Sequence, residues 1–164
     1  MERQKNITSD QFPIGRHMAI LARMYYGALN KKLERLDIDR HYSVLILLDG
    51  CDKNCSQKYI SEQLLIDKAS MVRIMDHLSE KGYIIRTVCA TDRREHSIKL
   101  TEKAKRIVPK IKKATQELNE KILVGMSKEK KAGFYAALET IYFNLNSEPK
   151  TKVTINYKTS SKKK

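Results

Sequence analysis

Residues 67–100 contain two hydrophobic periodicities in direct succession, and this order constrains the fold more than any other feature of the chain. From Asp67 to Gly82, apolar residues recur every three or four positions, as on one face of a helix. From Tyr83 to Leu100, apolar and polar residues alternate in two short runs, as in strands. The pattern therefore predicts a helix that is capped by Asp67, closed by Gly82 and followed at once by a β-hairpin.

The predicted helix after Asp67 has two chemically different faces. Its core face carries Met71, Ile74, Met75 and Leu78, whereas the opposite side offers Lys68, Ser70, Arg73 and His77. A shorter helix precedes it, capped by Ser56. The inward-facing residues predicted for that helix are Tyr59, Ile60, Leu64 and Leu65. A short helix followed by a longer, two-faced helix is typical of a helix-turn-helix, whose second helix reads bases in the major groove.

Two arginines stand at the tip of the predicted hairpin. The strands are predicted at 83–88 and 96–100, and Asp92, Arg93 and Arg94 lie between them. A hairpin directly after a recognition helix is a wing, and an arginine there can enter the minor groove. Asp92 and Glu95 would be poor neighbours for phosphates, so we interpret both as buttresses that orient the arginines. The alternative is an ordinary charged hairpin tip.

Long apolar helices are predicted on both sides of this module. The first spans about 12–36, with a stripe formed by Ile14, Met18, Leu21, Tyr25, Leu29 and Leu33. A well-buried second helix is predicted over 39–50. After the hairpin, Thr101 is expected to cap a helix to about Gly125, bent or broken at Pro109, with Ile107, Ile111, Leu118 and Ile122 along one side. A last helix starts at Ser127 and carries Phe134, Leu138, Ile141 and Leu145.

The apolar surface of the first and last helices predicts a homodimer. These helices lie far in sequence from the central module, and a second copy of the chain would bury the surface that they expose. The residues predicted to form the dimer interface are Ile14, Met18, Leu21, Tyr25, Leu138, Ile141 and Leu145.

The charge balance indicates a polyanionic partner. The 164 residues carry a formal net charge of +14, which attracts nucleic acid, although a generally basic surface is the simpler alternative. Six Lys and one Glu in residues 147–164 give that segment +5 and leave +9 on residues 1–146. No apolar stretch reaches the length of a membrane-spanning helix, and residues 1–12 lack the apolar core of a signal peptide. We therefore expect a cytoplasmic location and no membrane partner.

The three cysteines, Cys51, Cys55 and Cys89, show no familiar disulfide spacing and are expected to be reduced thiols. Cys51 and Cys55 with His41 are a poor match to a zinc site, so no metal and no cofactor are predicted. Cys89, close to the wing, is the best candidate for oxidant sensing, with inert thiols as the favoured alternative.

The ordered series of motifs resembles the MarR family of winged helix-turn-helix transcriptional regulators. The carrying residues are Asp67-Lys68-Ala69-Ser70-Met71-Val72-Arg73, Leu78-Ser79-Glu80-Lys81-Gly82-Tyr83-Ile84-Ile85-Arg86, Asp92-Arg93-Arg94 and Leu100-Thr101-Glu102-Lys103. The likeness covers about residues 12–146. It implies a mainly α fold with a small β-hairpin wing (α+β), in which N- and C-terminal helices form the dimer.

The resemblance also implies function. Family members are usually homodimers that bind palindromes in double-stranded DNA near promoters, commonly as repressors, and small molecules or oxidants often release them. Ser70 and Arg73 match positions that meet the major groove, Lys68 lies near phosphates, and Arg94 matches the wing arginine of the family's Asp-x-Arg motif. The implied domains are an N-terminal arm and dimerisation helix, a winged helix-turn-helix, two C-terminal dimerisation helices and a basic, flexible tail (1–36, 37–100, 101–146 and 147–164).

Several alternatives stay open at this point. Arg73 fits a guanine contact or a phosphate clamp, and His77 fits a phosphate contact or an ordinary surface role. Arg16, His17, Tyr26 and His41 are candidates for a small-molecule effector site, and each also fits a purely structural role. The sequence lacks the motifs of common hydrolases and nucleotide-binding enzymes, so no enzymatic activity is predicted. A non-specific or architectural nucleic-acid-binding protein is the competing function.

Overall fold

The computed structural model of the chain describes residues 13–38, 40–51, 55–88 and 96–149. Within these ranges the chain forms six helices and a small antiparallel sheet. In chain order the elements are α1 (Ile14–Lys32), α2 (Tyr42–Asp49), β1 (Cys55–Ser56), α3 (Gln57–Gln63), α4 (Lys68–Glu80), β2 (Ile84–Val88), β3 (His96–Leu100), α5 (Glu102–Ile122) and α6 (Lys128–Ser147). The predicted mainly α fold with a β-hairpin wing is confirmed.

Helix ends follow the local capping signals. The side chains of Ser56, Asp67, Thr101 and Ser127 each accept a hydrogen bond from a backbone N–H in the first turn of α3, α4, α5 and α6. Gly82 and Gly125 follow α4 and α5 with φ of +70° and +85°, which glycine adopts without steric cost. The capping residues predicted from the sequence are therefore confirmed.

The sheet has the strand order β1-β3-β2. Strands β2 and β3 pair antiparallel from Ile84↔Leu100 to Val88↔His96, as a hairpin should. The additional strand β1 is only two residues long and pairs Cys55 with Ile98. This pairing fastens the start of α3 to the wing.

The hydrophobic core lies where α2, α4, α5 and the sheet meet the C-terminal end of α1. Leu45, Ile60, Met71, Met75, Leu78 and Ile111 are each 0% exposed. Both α1 and α2 pack against α5. Two hydrogen bonds join α1 to α5: the Tyr25 hydroxyl donates to Asn119 Oδ1 at 2.8 Å, and Lys32 Nζ donates to Glu117 at 2.9 Å.

Several details of the predicted elements are wrong. Helix α1 ends at Lys32 rather than near residue 36, because the chain turns there and buries Leu33. Tyr59 and Leu65 are 42% and 75% exposed instead of inward-facing. Helix α3 stops at Gln63, and Leu65 has a φ of +51°, which removes it from the helix face.

The C-terminal helices also differ from the sequence expectation. Helix α5 continues through Pro109 without a break, although Pro109 is the eighth residue of the helix and has no N–H to donate to the Lys105 carbonyl oxygen. The buried side chains of Val108 and Ile111 on either side of it anchor this part of the helix in the core. Along the predicted apolar side of α5, Ile111 and Leu118 are buried, whereas Ile122 at the end of the helix is 56% exposed.

Candidate nucleic-acid interface

Helix α4 starts at a well-defined cap. The backbone N–H of Ser70 donates to Asp67 Oδ1 at 2.9 Å. This hydrogen bond, with further ones from the Ser70 side chain and the Ala69 N–H, lowers the pKa of the Asp67 carboxyl group below its ordinary value. The ionised cap therefore fixes the first turn of α4, where Lys68 and Ser70 lie.

The structure separates the two faces of α4 as the periodicity predicted. Met71, Ile74, Met75 and Leu78 are buried in the core. The opposite face exposes Lys68, Ala69, Val72, Arg73 and Asp76 to solvent. Positions 69, 72, 73 and 76 are spaced as one helical stripe, so they present a continuous surface to a partner.

Charge is unevenly distributed along the exposed face of α4. The N-terminal half carries the cations Lys68 and Arg73, and the C-terminal half carries Asp76 and Glu80. Arg73 Nη2 donates to Ser70 Oγ at 3.2 Å, which holds the guanidinium toward the N-terminal half. A polyanion is therefore favoured at the start of the helix, where recognition helices contact base edges.

His77 lies at the edge of the exposed face of α4. It is half-buried, and its ring centroid lies 5.3 Å from that of His41 in an edge-to-face arrangement. His41 is only 9% exposed. The pair therefore connects α4 to the start of α2, and the His77 ring is less accessible to a partner than Arg73.

An ion pair connects α4 to the wing. Arg86 on β2 donates through Nη2 to Asp76 Oδ1 at 2.7 Å. The Arg86 side chain is 27% exposed and that of Asp76 is 50% exposed. This contact neutralises one carboxylate on the exposed face of α4 and sets the position of the wing strand relative to the helix.

Polar contacts also fix the base of the wing. The Thr101 hydroxyl donates to the Gly82 carbonyl oxygen at 2.8 Å. Lys103 Nζ lies 4.2 Å from the centroid of the Tyr83 ring and donates to the Lys81 carbonyl oxygen at 2.7 Å. The helix-to-strand turn is thereby held against the start of α5. The predicted tip residues Cys89, Asp92, Arg93 and Arg94 lie outside the described residues.

Two of the four effector-site candidates lie at one cavity. Tyr26 and His41 line a cavity of ≈ 130 Å³ together with Arg40, Leu64, Ile66 and Ile74, at the junction of α1, α2 and the helix-turn-helix. Arg16 and His17 lie nearer the start of α1 and are not among its lining residues. The sequence therefore identified one part of this cavity and missed the apolar residues after α3.

Cys51 and Cys55 form a disulfide bond, which corrects the expectation of reduced thiols. The end of α2 and the start of β1 bring their Cα atoms to 6.3 Å, a separation that a disulfide can span. Sequence spacing alone does not give this separation. In the described ranges, no cluster of His, Cys, Asp and Glu side chains is suited to hold a metal ion.

The predicted dimerisation residues fall into exposed and half-buried groups. Ile14 and Leu21 on α1 are both 64% exposed, and Leu138 and Leu145 on α6 are 37% and 55% exposed. The half-buried residues of the set are Met18, Tyr25 and Ile141. Helix α6 has no buried residue.

None of the helices in the described ranges is both long and apolar enough to cross a bilayer.

Comparison with known proteins shows which protein family this module resembles. Residues 38–95, from the start of α2 to the wing, match the family model described as "MarR family". This module is similar to the MarR family. The match covers the helix-turn-helix and the first wing strand β2, but it omits the second wing strand β3 and the helices α1, α5 and α6.

Solved structures extend the MarR likeness to most of the chain. The transcriptional regulator SlyA is 26% identical, with a TM-score of 0.76 over 82% of this chain and 94% of that one. A MarR transcriptional regulator from Methanosarcina mazei Go1 is 28% identical, with a TM-score of 0.76 over 81% and 96% of the two chains. A complex of S. aureus MepR with DNA has a TM-score of 0.76 over 82% and 99%, but its 20% identity shows the fold alone.

Proposed function

We propose that this protein is a sequence-specific transcriptional regulator that binds double-stranded DNA. The observation that carries the proposal is the two-faced helix α4, whose N-terminal half exposes Lys68 and Arg73 while its other face is buried in the core. The related MepR is described in complex with DNA, and SlyA is described as a transcriptional regulator. In this arrangement α4 enters the major groove and the wing reaches an adjacent minor groove through Arg94, with Arg93 beside it and Asp92 as buttress.

We propose further that the active form is a homodimer. Helix α6 exposes Phe134, Tyr142 and Phe143 at 42%, 69% and 76%, in addition to Leu138 and Leu145. Exposed apolar surface of this extent on a helix of a water-soluble domain marks an interaction site. A two-fold dimer formed by α1 and α6 presents two α4 helices, so its operator is a palindrome with half-sites about one helical turn apart.

The domain organisation proposed from the sequence fits this dimer. It consists of a dimerisation helix within 1–36, a DNA-binding module at 37–100, C-terminal dimerisation helices at 101–146 and a basic tail at 147–164. The structure describes residues only up to Pro149, so the role proposed for the tail is based on its charge alone. Its lysines would add salt-dependent affinity for phosphates and no sequence preference.

Regulation by a small molecule is proposed at the cavity beside Tyr26 and His41. A ligand there would contact α1, α2 and the end of α3 together. It would change the spacing of the two recognition helices by binding one dimer shape more tightly than another. Because ligand sites usually enclose at least about 300 Å³, a drug-sized effector requires this cavity to widen. The repressor role is proposed from the family resemblance.

Selection of duplexes from a random library tests the DNA-binding proposal. Purified full-length protein at near-physiological salt should enrich a palindrome whose half-sites lie about one helical turn apart. A variant that lacks residues 147–164 should enrich the same palindrome with lower affinity and a weaker salt dependence. Salt-sensitive binding without enrichment would instead support the architectural alternative, which the net charge of +14 favours.

A further inference from the structure

Val72 is an apolar residue on the exposed face of α4 that the protein's own packing does not explain. It is 38% exposed and belongs neither to the buried core cluster nor to the partly buried apolar side chains packed against that cluster. Valine is also a weaker helix former than alanine because its χ1 angle is restricted. Neither core packing nor helix propensity therefore accounts for valine at this position.

The position of Val72 places it among the residues assigned to DNA contact. It follows Ala69 by three positions and precedes Arg73, within the N-terminal half of α4. Arg73 is hydrogen-bonded to Ser70, which lies on the other flank of the exposed face. The hydrogen bond draws the Arg73 guanidinium toward the Ser70 flank, and Val72 stays exposed to solvent on the other flank.

We propose that Val72 reads the 5-methyl group of a thymine in the major groove, an inference that rests on the proposed DNA-binding function. Among the groups that unmodified base pairs present in that groove, the thymine methyl is the apolar one. A valine methyl group packs against it and excludes water, and Ala69 one turn earlier allows α4 to approach closely. The selected half-site should therefore contain a thymine next to the base pair that Arg73 contacts.

Replacement of thymine by uracil tests this contact, because it removes one methyl group and keeps every hydrogen-bonding group of the base. The operator obtained by selection is synthesised with uracil at each thymine in turn, and binding is measured with the full-length protein. One such replacement should weaken wild-type binding about fourfold, the effect of withdrawing one methyl group from an apolar contact. Val72→Ala should bind the thymine and uracil duplexes equally at that position.

A matched variant and a folding control make the result decisive. Ser79→Ala alters another exposed residue of α4, in its C-terminal half, and should keep the wild-type ratio of thymine to uracil affinity. Val72→Ala should retain the helical circular dichroism of the wild type, because alanine favours helix more than valine. An equal thymine-to-uracil ratio in wild type and Val72→Ala, with operator binding intact, overturns this inference alone. Failure of the wild type to select any operator overturns the proposed function with it.

Discussion

Arg86 Nη2 lies 2.7 Å from Asp76 Oδ1, so an ion pair joins the first wing strand to the exposed face of the recognition helix. This ion pair therefore joins the two elements that are proposed to enter neighbouring grooves. The pair is partly exposed, and its contribution to the free energy of unfolding is expected to be less than about 1 kcal/mol. Its main effect should be on the relative position of α4 and the wing.

Arg86→Met should accordingly weaken operator binding several-fold while changing stability little. The substitution loosens β2 from α4 and leaves the Asp76 carboxylate without its neutralising partner on the surface that faces phosphates. Adding Asp76→Asn should restore part of the lost affinity. Binding isotherms for the two single variants and the double variant, with urea unfolding of each, form the test. If the changes in binding free energy of the two single variants simply add up to that of the double variant, the ion pair has no role in DNA binding.

Arg73→Ala should cost about 1–3 kcal/mol of operator binding if the guanidinium contacts a guanine edge. We expect this outcome because the contact with Ser70 keeps Arg73 close to the N-terminal half of α4. The preference at one base pair of each half-site should then relax. Arg73→Lys is the matched control, since it keeps the charge and loses the planar pair of donors. A uniform loss across sequences, with a reduced salt dependence, would identify a phosphate contact instead.

Arg94→Ala should weaken binding several-fold if the wing enters the minor groove. An arginine inserted there interacts with the concentrated negative potential of a narrow groove. The loss should be larger for operators with A·T-rich flanks than for operators with G·C-rich flanks, which can be measured by competition between the two duplexes. Equal losses on both flanks would contradict minor-groove insertion.

Local signals in the sequence were sufficient to predict helix α4 in the central module. The cap at Asp67, the glycine after α4 and the four-residue core face of α4 are all determined within about one helical turn of each residue, so the sequence predicted them correctly. Strand β1 was missed because two residues have no periodicity, and the strand exists only through its pairing with β3. The spacing of Val72 from Ala69 and Arg73 places it opposite the core face of α4, but the sequence pattern alone does not predict a role for an apolar residue there.

The remaining errors concern contacts between elements. The sequence gives no distance between Cys51 and Cys55, and the disulfide depends on how α2 and β1 approach each other. The sequence predicts the stripe on α1 as one apolar surface. In the structure, Leu29 and Leu33 are buried, whereas Ile14 and Leu21 are exposed. Only the position of α5 distinguishes the two halves of that stripe.

Reduction of the Cys51–Cys55 disulfide should lower the thermal stability of the protein. The bond closes a five-residue loop, for which the chain-entropy relation gives about 2 kcal/mol. Dithiothreitol should therefore lower the unfolding temperature of the wild type and leave that of Cys51→Ala unchanged. A reductant effect that persists in Cys51→Ala would assign it to another thiol, and equal unfolding temperatures of oxidised and reduced wild type would contradict the stabilising role.

Acid should weaken the N-terminal cap of α4. Hydrogen bonds from Ser70 lower the pKa of Asp67 below its ordinary value of 3.8. The stabilisation by the ionised cap is therefore present above pH 3.8 and is lost as the pH falls through the lower pKa of the folded state. Asp67→Ser keeps a capping oxygen without a titrating group. The stability difference between wild type and Asp67→Ser should shrink below pH 3.8, as followed by urea unfolding over a pH series; a constant difference would contradict the role of the carboxylate charge.

A charge placed on α6 should separate the proposed dimer. Leu138→Glu introduces a carboxylate into the exposed apolar surface that α6 would bury against a second copy, and an unpaired buried charge is strongly unfavourable. Sedimentation should show a dimer for the wild type and a monomer for the variant. Ile85→Glu is the matched control, because Ile85 is an apolar residue of β2 that is 52% exposed and lies outside α1 and α6. The monomeric variant should keep weak binding to a single half-site and lose the gain in affinity that the full palindrome provides. A Leu138→Glu protein that still sediments as a dimer would exclude this surface of α6 from the interface.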